Sequence, residues 1–404
     1  MHPEYYIVII AICILWEVFW YFVIRHVNKR FQWLIISKDE KPVLSEEGLK
    51  KFIPHGYDPE LGWIRKPNTS GIEKSIEHES KWTINELGAR TNPEFESKIS
   101  TTSCYGDSFT FCRQVNDDET WEYHLSKLQQ TNVKNFGVGN YGLDQTILRL
   151  KREYPKNKTK IVIIGVVPDT ISRILSSWKH YYEYGNTFAF KPRFVLKNGD
   201  LRIIKNPIDD EMKFKKYEEF LPQIKQSDFF YENKFKKEII RFPYSIYLLK
   251  NPSRNLRIIF WVLLKELRKS ESSTEIEWNP MKIIMRINLL WRVKLYQNAE
   301  ALTLFRKILE EYASYAKEND FVPFFCILPQ KDDVSFVKAN TNFYKKFLDN
   351  LNIENLRIID ATDKFVIEKN LDALYTDNNE YGGHYSKLGN KRIAEIINEE
   401  LIKV

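Results

Sequence analysis

The chain has 404 residues, 43% of them hydrophobic and 14% aromatic, which supplies a sizeable buried core and excludes a chain that stays solvated. Its net charge of +7 is spread along the sequence, with no zinc-finger spacing, aromatic RNA-binding strand or helix-turn-helix pattern, so no nucleic-acid partner is expected. The four cysteines imply no disulfide framework and have no metal-ligand spacing with histidine; Cys104, Cys112 and Cys326 read as small buried hydrophobes, and Cys13 lies in an apolar leader.

From Tyr5 to Ile24 the residues are apolar apart from Glu17, and a helical run of about 20 residues crosses the hydrocarbon core of a bilayer. Bulky Trp16, Phe19, Trp20, Tyr21 and Phe22 stand where a cleaved signal carries small residues, so 5–24 reads as a retained single-pass anchor. Glu17 within it points to a partner helix. Arg25, Lys29 and Arg30 follow the span and no Lys or Arg precedes it, which by the charge rule favours a cytoplasmic domain. Residues 25–56 read as a polar linker, and 57–404 as one large domain.

Tyr57 to Pro93 holds short strand-like runs broken by Gly, Pro and Asn. Then the period alternates: Ile99–Tyr105 strand, Glu119–Gln129 helix, Val133–Phe136 strand, Leu143–Glu153 amphipathic helix, and Ile161–Val167 a continuous apolar run suited to a parallel strand covered on both faces. About 178–291 reads as an aromatic, basic insertion. Asn198-Gly199 marks a hairpin in it, and Arg257 to Lys265 reads as a packed helix, a lid or a membrane-facing helix. The alternation resumes with Ala299–Ala316 helical, Val322–Leu328 a strand, Phe336–Leu348 helical, Leu356–Asp360 a strand and Lys387–Ile402 a closing helix. Such alternation predicts a doubly wound α/β domain.

Three segments carry the chemistry. Cys104-Tyr105-Gly106-Asp107-Ser108-Phe109-Thr110 falls where a strand ends, and the carboxyl end of a parallel strand is where ligands meet an open sheet. Gly106 permits a tight turn, Ser108 offers a hydroxyl, and backbone amides ahead of a helix offer donors to an oxyanion. A second glycine-rich turn, Asn135 to Gln145, feeds the next helix from the same sheet edge, and Gly382-Gly383-His384-Tyr385-Ser386 precedes the last helix. Any one of these alone is an ordinary turn; their order along a βα alternation is far more specific.

In that combination the chain resembles membrane-anchored members of the SGNH (GDSL-like) hydrolase superfamily, from about Tyr57 to the C-terminus. The resemblance implies a three-layer α/β/α fold with a mostly parallel, flavodoxin-like sheet, Ser108 as nucleophile and His384 as general base. A serine hydroxyl attacks poorly near neutral pH unless a base removes its proton, and histidine titrates in the useful range. The implied oxyanion donors are the Ser108 amide and the Gly139-Asn140 turn, where Asn140 stands for a more usual glycine and tolerates a left-handed backbone. The family's third block places an asparagine at Thr170, whose hydroxyl reaches less far. The acid usually found three residues before the histidine is Tyr381 here, which leaves Asp377, then Glu380, or a Ser-His dyad held by a backbone carbonyl. His55, His78, His124 and His180 are isolated, so no metal or cofactor is implied.

Three functional readings follow. The first is a serine esterase acting on an acylated small molecule, cell-envelope glycan or lipid through an acyl-Ser108 intermediate. The second is an O-acyltransferase acting on a polysaccharide with the same residues, and the third a catalytically impaired binding or assembly protein on the same fold, motivated by Asn140, Thr170 and Tyr381.

Overall fold

The computed structural model describes residues 3–30, 41–74, 79–267, 280–377, 381 and 383–403. Helix α1 (Pro3–Arg30) is the apolar leader; among the described residues it is the one helix long and apolar enough to cross a membrane, over Glu4–Lys29. Its Ile7, Ile14, Leu15 and Phe22 side chains stay exposed. Within the stretch read as a linker, α1 runs on to Arg30, 31–40 lie outside the described residues, and α2 (Glu46–His55) begins where the Ser45 hydroxyl accepts the Gly48 N–H at 3.1 Å. Its Leu49, Phe52 and Ile53 lie on the main core, and that tertiary contact stabilises a short helix whose own propensity is marginal.

Strands β1 (Ser70–Lys74) and β2 (Glu79–Thr83) form an antiparallel hairpin ahead of the sheet. Then β3 (Ser100–Gly106), α3 (Trp121–Gln129), β4 (Asn132–Gly137), α4 (Leu143–Glu153), β5 (Ile161–Val166) and a short α5 (Thr170–Arg173) alternate as the periodicity predicts. The insertion contributes the hairpin β6 (Arg193–Lys197) and β7 (Asp200–Ile204), then α6 (Tyr244–Lys250), α7 (Pro252–Leu267) and α8 (Pro280–Leu295). Asn198 and Gly199 take φ of 55° and 84°, the positive pair that a tight two-residue hairpin turn demands. After α9 (Ala299–Asn319) come β8 (Val322–Ile327), α10 (Lys331–Ala339), α11 (Lys345–Asp349), β9 (Arg357–Asp360) and α12 (Lys387–Leu401). The expected helix Phe336–Leu348 is broken, because Asn340 adopts an extended backbone at φ −141° and ψ −179°.

The five central strands are parallel in the order β4-β3-β5-β8-β9, which is 2-1-3-4-5 along the chain and places the switch point between β3 and β5. Alternate residues go to opposite faces. Tyr105, Val162, Ile164 and Phe325 meet α4 and α9, whereas Cys104, Ile163, Phe324 and Cys326 meet α3 and α12. All four cysteines are free, and Cys104, Cys112 and Cys326 fill core positions as small hydrophobes.

On α3, Glu122 is enclosed beside the Cys112 thiol, whose Sγ lies 3.2 Å from Oε2, and burial pushes its carboxyl up to about 8. A folded pKa above the unfolded one means that the fold prefers the protonated form, so this group's share of stability is complete below about 4 and is lost as pH rises toward 8. Glu122→Gln, neutral at every pH, is expected to gain on the order of 3 kcal/mol over the wild type between pH 5 and pH 8 in urea unfolding. Equal changes at both pH values would show that the carboxyl is ionised in the fold.

Candidate active site

The serine segment lies flat across the ends of three strands because two glycines leave room for it. A Cβ on Gly106 would sit 1.9 Å from the Gly165 carbonyl oxygen, and one on Gly137 2.2 Å from the Phe111 amide nitrogen. Asp107 ties the segment down: Oδ1 accepts the Phe109 N–H at 2.8 Å, and Oδ2 accepts the Val167 N–H and Arg173 Nη1, each at 3.0 Å. The Thr110 hydroxyl donates to the Gly165 carbonyl at 2.7 Å, and Asn135 Nδ2 donates to the Thr110 carbonyl at 2.7 Å.

Arg90 holds the next stretch from beneath. Its guanidinium donates to the Phe111, Cys112 and Val115 carbonyls, each at 2.6 Å, and to Asp117 Oδ1 at 2.7 Å. That buried clamp fixes the course of 111–117, and with it Gln114, whose φ of 68° turns the chain toward the histidine loop.

His384 lies ahead of α12 with its ring against Phe109, the residue after Ser108, at a centroid distance of 4.7 Å. Its backbone N–H donates to Gln114 Oε1 at 3.0 Å and to Thr376 Oγ1 at 3.1 Å, and Nδ1 lies 2.9 Å from the same Gln114 oxygen. A backbone N–H is only ever a donor, so the atom it meets is the amide oxygen; Nδ1 facing that oxygen therefore carries the hydrogen. The lone pair is left on Nε2, the tautomer a general base requires.

Gln114 thus stands where Asp377 was expected. The backbone carbonyl of Asp377 accepts Lys331 Nζ at 3.0 Å, while the imidazole's partner comes from 270 residues earlier in the chain. Glu380 and Gly382 lie outside the described residues, as does His78. Burial, then the positive charges of Arg113 and Arg173, hold His384 well below the usual histidine range, and the neutral amide supplies no opposing charge.

Gly139 lies beside the serine segment. A Cβ on Gly139 would lie 4.0 Å from Ser108 Cβ, Trp63 Nε1 steadies the turn by donating to the Gly139 carbonyl at 2.9 Å, and Asn140 takes the left-handed φ of 66°. Among the described residues the backbone amides of Ser108, Gly139 and Asn140 have no acceptor. Thr170 departs from expectation: its hydroxyl is fully buried and accepts the Leu143 N–H at 2.9 Å, bracing the start of α4. The cation in that neighbourhood is Arg173, whose Nη1 also donates to the Tyr141 carbonyl at 3.0 Å.

A buried ionic chain runs outward from there. Arg173 Nε meets Asp169 at 3.2 Å, Asp169 meets Arg292 of α8 at 3.3 Å, and Arg292 pairs with Asp333 of α10. Lys331, at the start of α10, donates to the Asp377 carbonyl, so α10, which the ionic chain ties to the serine loop, also contacts the histidine loop.

Two substitutions check this arrangement. Arg90→Ala leaves three buried carbonyls without their donor and removes the cation paired with Asp117, which keeps the Thr83 N–H and hydroxyl, so a loss of about 3 to 5 kcal/mol in urea unfolding is expected, with Arg90→Lys recovering little of it. Gln114→Glu places a carboxylate on Nδ1–H and is expected to raise the His384 pKa. In the wild type the imidazole is neutral down to a pH below the ordinary histidine range, so an NMR titration of its ring protons should show the midpoint moving up in the variant. An unmoved midpoint would place the Gln114 side chain elsewhere in solution.

No family model matches the chain, and no curated protein matches it. Among solved structures, it is similar to a lipolytic protein of the G-D-S-L family from Desulfitobacterium hafniense DCB-2, with 13% identity and a TM-score of 0.35 over 74% of this chain and 98% of that one. It is similar also to an acetyl xylan esterase, AlAXEase, with 11% identity and a TM-score of 0.32 over 75% of this chain and 99% of that one. A two-domain esterase active on acetylated mannans shares 8% identity at a TM-score of 0.31, over 76% of this chain and 49% of that one. The strand order and the helix layers on both faces make this a three-layer α/β/α fold with a parallel, flavodoxin-like sheet.

Proposed function

We propose that the chain is a serine esterase held at a membrane by α1, cleaving a carboxylic ester of a cell-envelope glycan or lipid. The observation that carries this reading is the Gln114 contact, which puts the hydrogen on Nδ1 of an imidazole lying against the serine segment. In this reading Ser108 Oγ attacks the ester carbonyl while His384 Nε2 takes the hydroxyl proton. The carbonyl oxygen, now negative, accepts hydrogen bonds from the amides of Ser108 and of the Gly139-Asn140 turn. Collapse of the tetrahedral species breaks the bond to the alcohol, which leaves with the proton from Nε2, and acyl-Ser108 remains. Water then repeats the sequence: His384 takes its proton, the acid is released, and the proton returns to Ser108.

Gln114 orients the ring without charge, so the imidazolium that forms in each step is less stabilised than beside a carboxylate. The consequence is a modest rate with an acid limb below the ordinary histidine range, by the direction of the His384 shift. Turnover of p-nitrophenyl acetate by the full chain is expected to fall by on the order of 1,000-fold or more in Ser108→Ala and in His384→Ala. Folded wild type that neither turns over the ester nor is labelled at Ser108 by a fluorophosphonate would overturn the reading.

A further inference from the structure

Glu17 lies midway along the apolar run of α1, and its carboxylate caps α6: it accepts the Tyr244 N–H, the Ser245 N–H at 3.2 Å and the Ser245 hydroxyl. Farther along α1, Ile24 and Val27 are buried against Ile240, Leu248, Ile258, Ile259 and Val262 of the insertion. A span that stopped before Glu17 would be too short, since about 20 apolar residues are needed to cross the hydrocarbon layer. If α1 crosses a bilayer, the start of α6 therefore sits beside it at lipid depth, and the cap satisfies a carboxylate that lipid alone would not tolerate.

The exposed surface of this wedge agrees. Phe242, Ile246 and Leu249 around α6 and Leu256, Phe260 and Leu263 on α7 are all solvent-facing. The last three recur at helical spacing, a stripe that is unfavourable in water and favourable in lipid.

Directly behind the wedge, α7 and α8 border a cavity of about 520 Å³ whose wall carries Lys237, Arg254, Arg257, Lys282 and Arg286. The carboxylate there, Glu238, already faces Lys234 at 3.4 Å and Arg254 at 3.5 Å. Among the described residues no carboxylate pairs with Lys237, Arg257, Lys282 or Arg286. Tyr381, in the loop that carries His384, forms part of the same wall.

We propose that this cavity binds the phosphate-bearing headgroup of an anionic membrane lipid. Guanidinium and ammonium groups that pair with no carboxylate among the described residues, as at Lys237, Arg257, Lys282 and Arg286, suit a phosphate, and an apolar wedge beside α1 puts them where headgroups lie. Tyr381 places this cavity beside the histidine loop. The assignment rests on α1 spanning a bilayer and is independent of the acyl-serine chemistry.

The test uses the full chain in neutral detergent, titrated with short-chain phosphatidylglycerol, short-chain phosphatidylcholine and inorganic phosphate while the emission of tryptophan is followed, Trp291 being part of the cavity wall. Saturable binding of phosphatidylglycerol is expected, with phosphatidylcholine and inorganic phosphate each at least about tenfold weaker. Arg257→Glu and Arg286→Glu are each expected to weaken phosphatidylglycerol by about tenfold or more while keeping the wild-type melting temperature in lipid-free detergent. Equal response to the two lipids, or no loss in either variant, overturns the proposal; inorganic phosphate binding as tightly as the lipid assigns the cavity to free phosphate instead. Release of the full chain from membranes by carbonate would refute the span itself, and loss of ester turnover alone leaves the lipid titration untouched.

Discussion

One amide oxygen joins the two halves of the candidate site. Gln114 Oε1 accepts the His384 N–H and Nδ1–H and also the Thr376 hydroxyl at 2.9 Å, so the serine loop and the histidine loop meet at a single acceptor. Everything that places that oxygen is backbone geometry: two strands ending in glycine, a loop laid across them, a guanidinium holding three carbonyls, and a positive φ that turns Gln114 inward. A neutral amide whose oxygen faces Nδ1 orients the ring, but leaves the charge of the imidazolium unbalanced.

The buried charges around this contact are compensated by one another rather than by solvent. Asp107, Arg173, Asp169, Arg292 and Asp333 alternate in sign through the interior; Arg292 pairs also with Asp332, and the other four carry further hydrogen bonds that offset the cost of their desolvation. Because Arg292 belongs to the insertion, α8 is part of the support of the serine loop rather than an ornament on the α/β frame. Burial also explains why His384 sits low in its titration range: two arginines are near it, and the carboxylates balancing them are directed to those arginines instead.

The same insertion packs against α1. An apolar run containing one carboxylate is costly until a helix start is supplied, and α6 supplies it. The insertion thus meets two environments: its buried cations and aromatics support the site, while its exposed apolar stripe lies beside α1.

The sequence by itself determined whatever is local. Periods of 2 and 3.6 marked the strands and helices of the alternation, Asn198-Gly199 marked its hairpin, Asn140 its left-handed turn, and the long apolar run its leader, because each of these depends on a residue and its near neighbours. The placement of Ser108 and His384 segments at strand and helix ends was legible for the same reason. Tertiary structure alone decided the partners: Gln114 rather than Asp377 on the imidazole, Arg90 beneath the loop, Thr170 bracing α4, and α6 capping Glu17. These are pairings across tens to hundreds of residues, set by which chain ends the parallel sheet gathers at one edge, and no spacing along a single chain encodes them. Segment 46–55 makes the same point from the other side, its short capped helix being stabilised by the core beneath it.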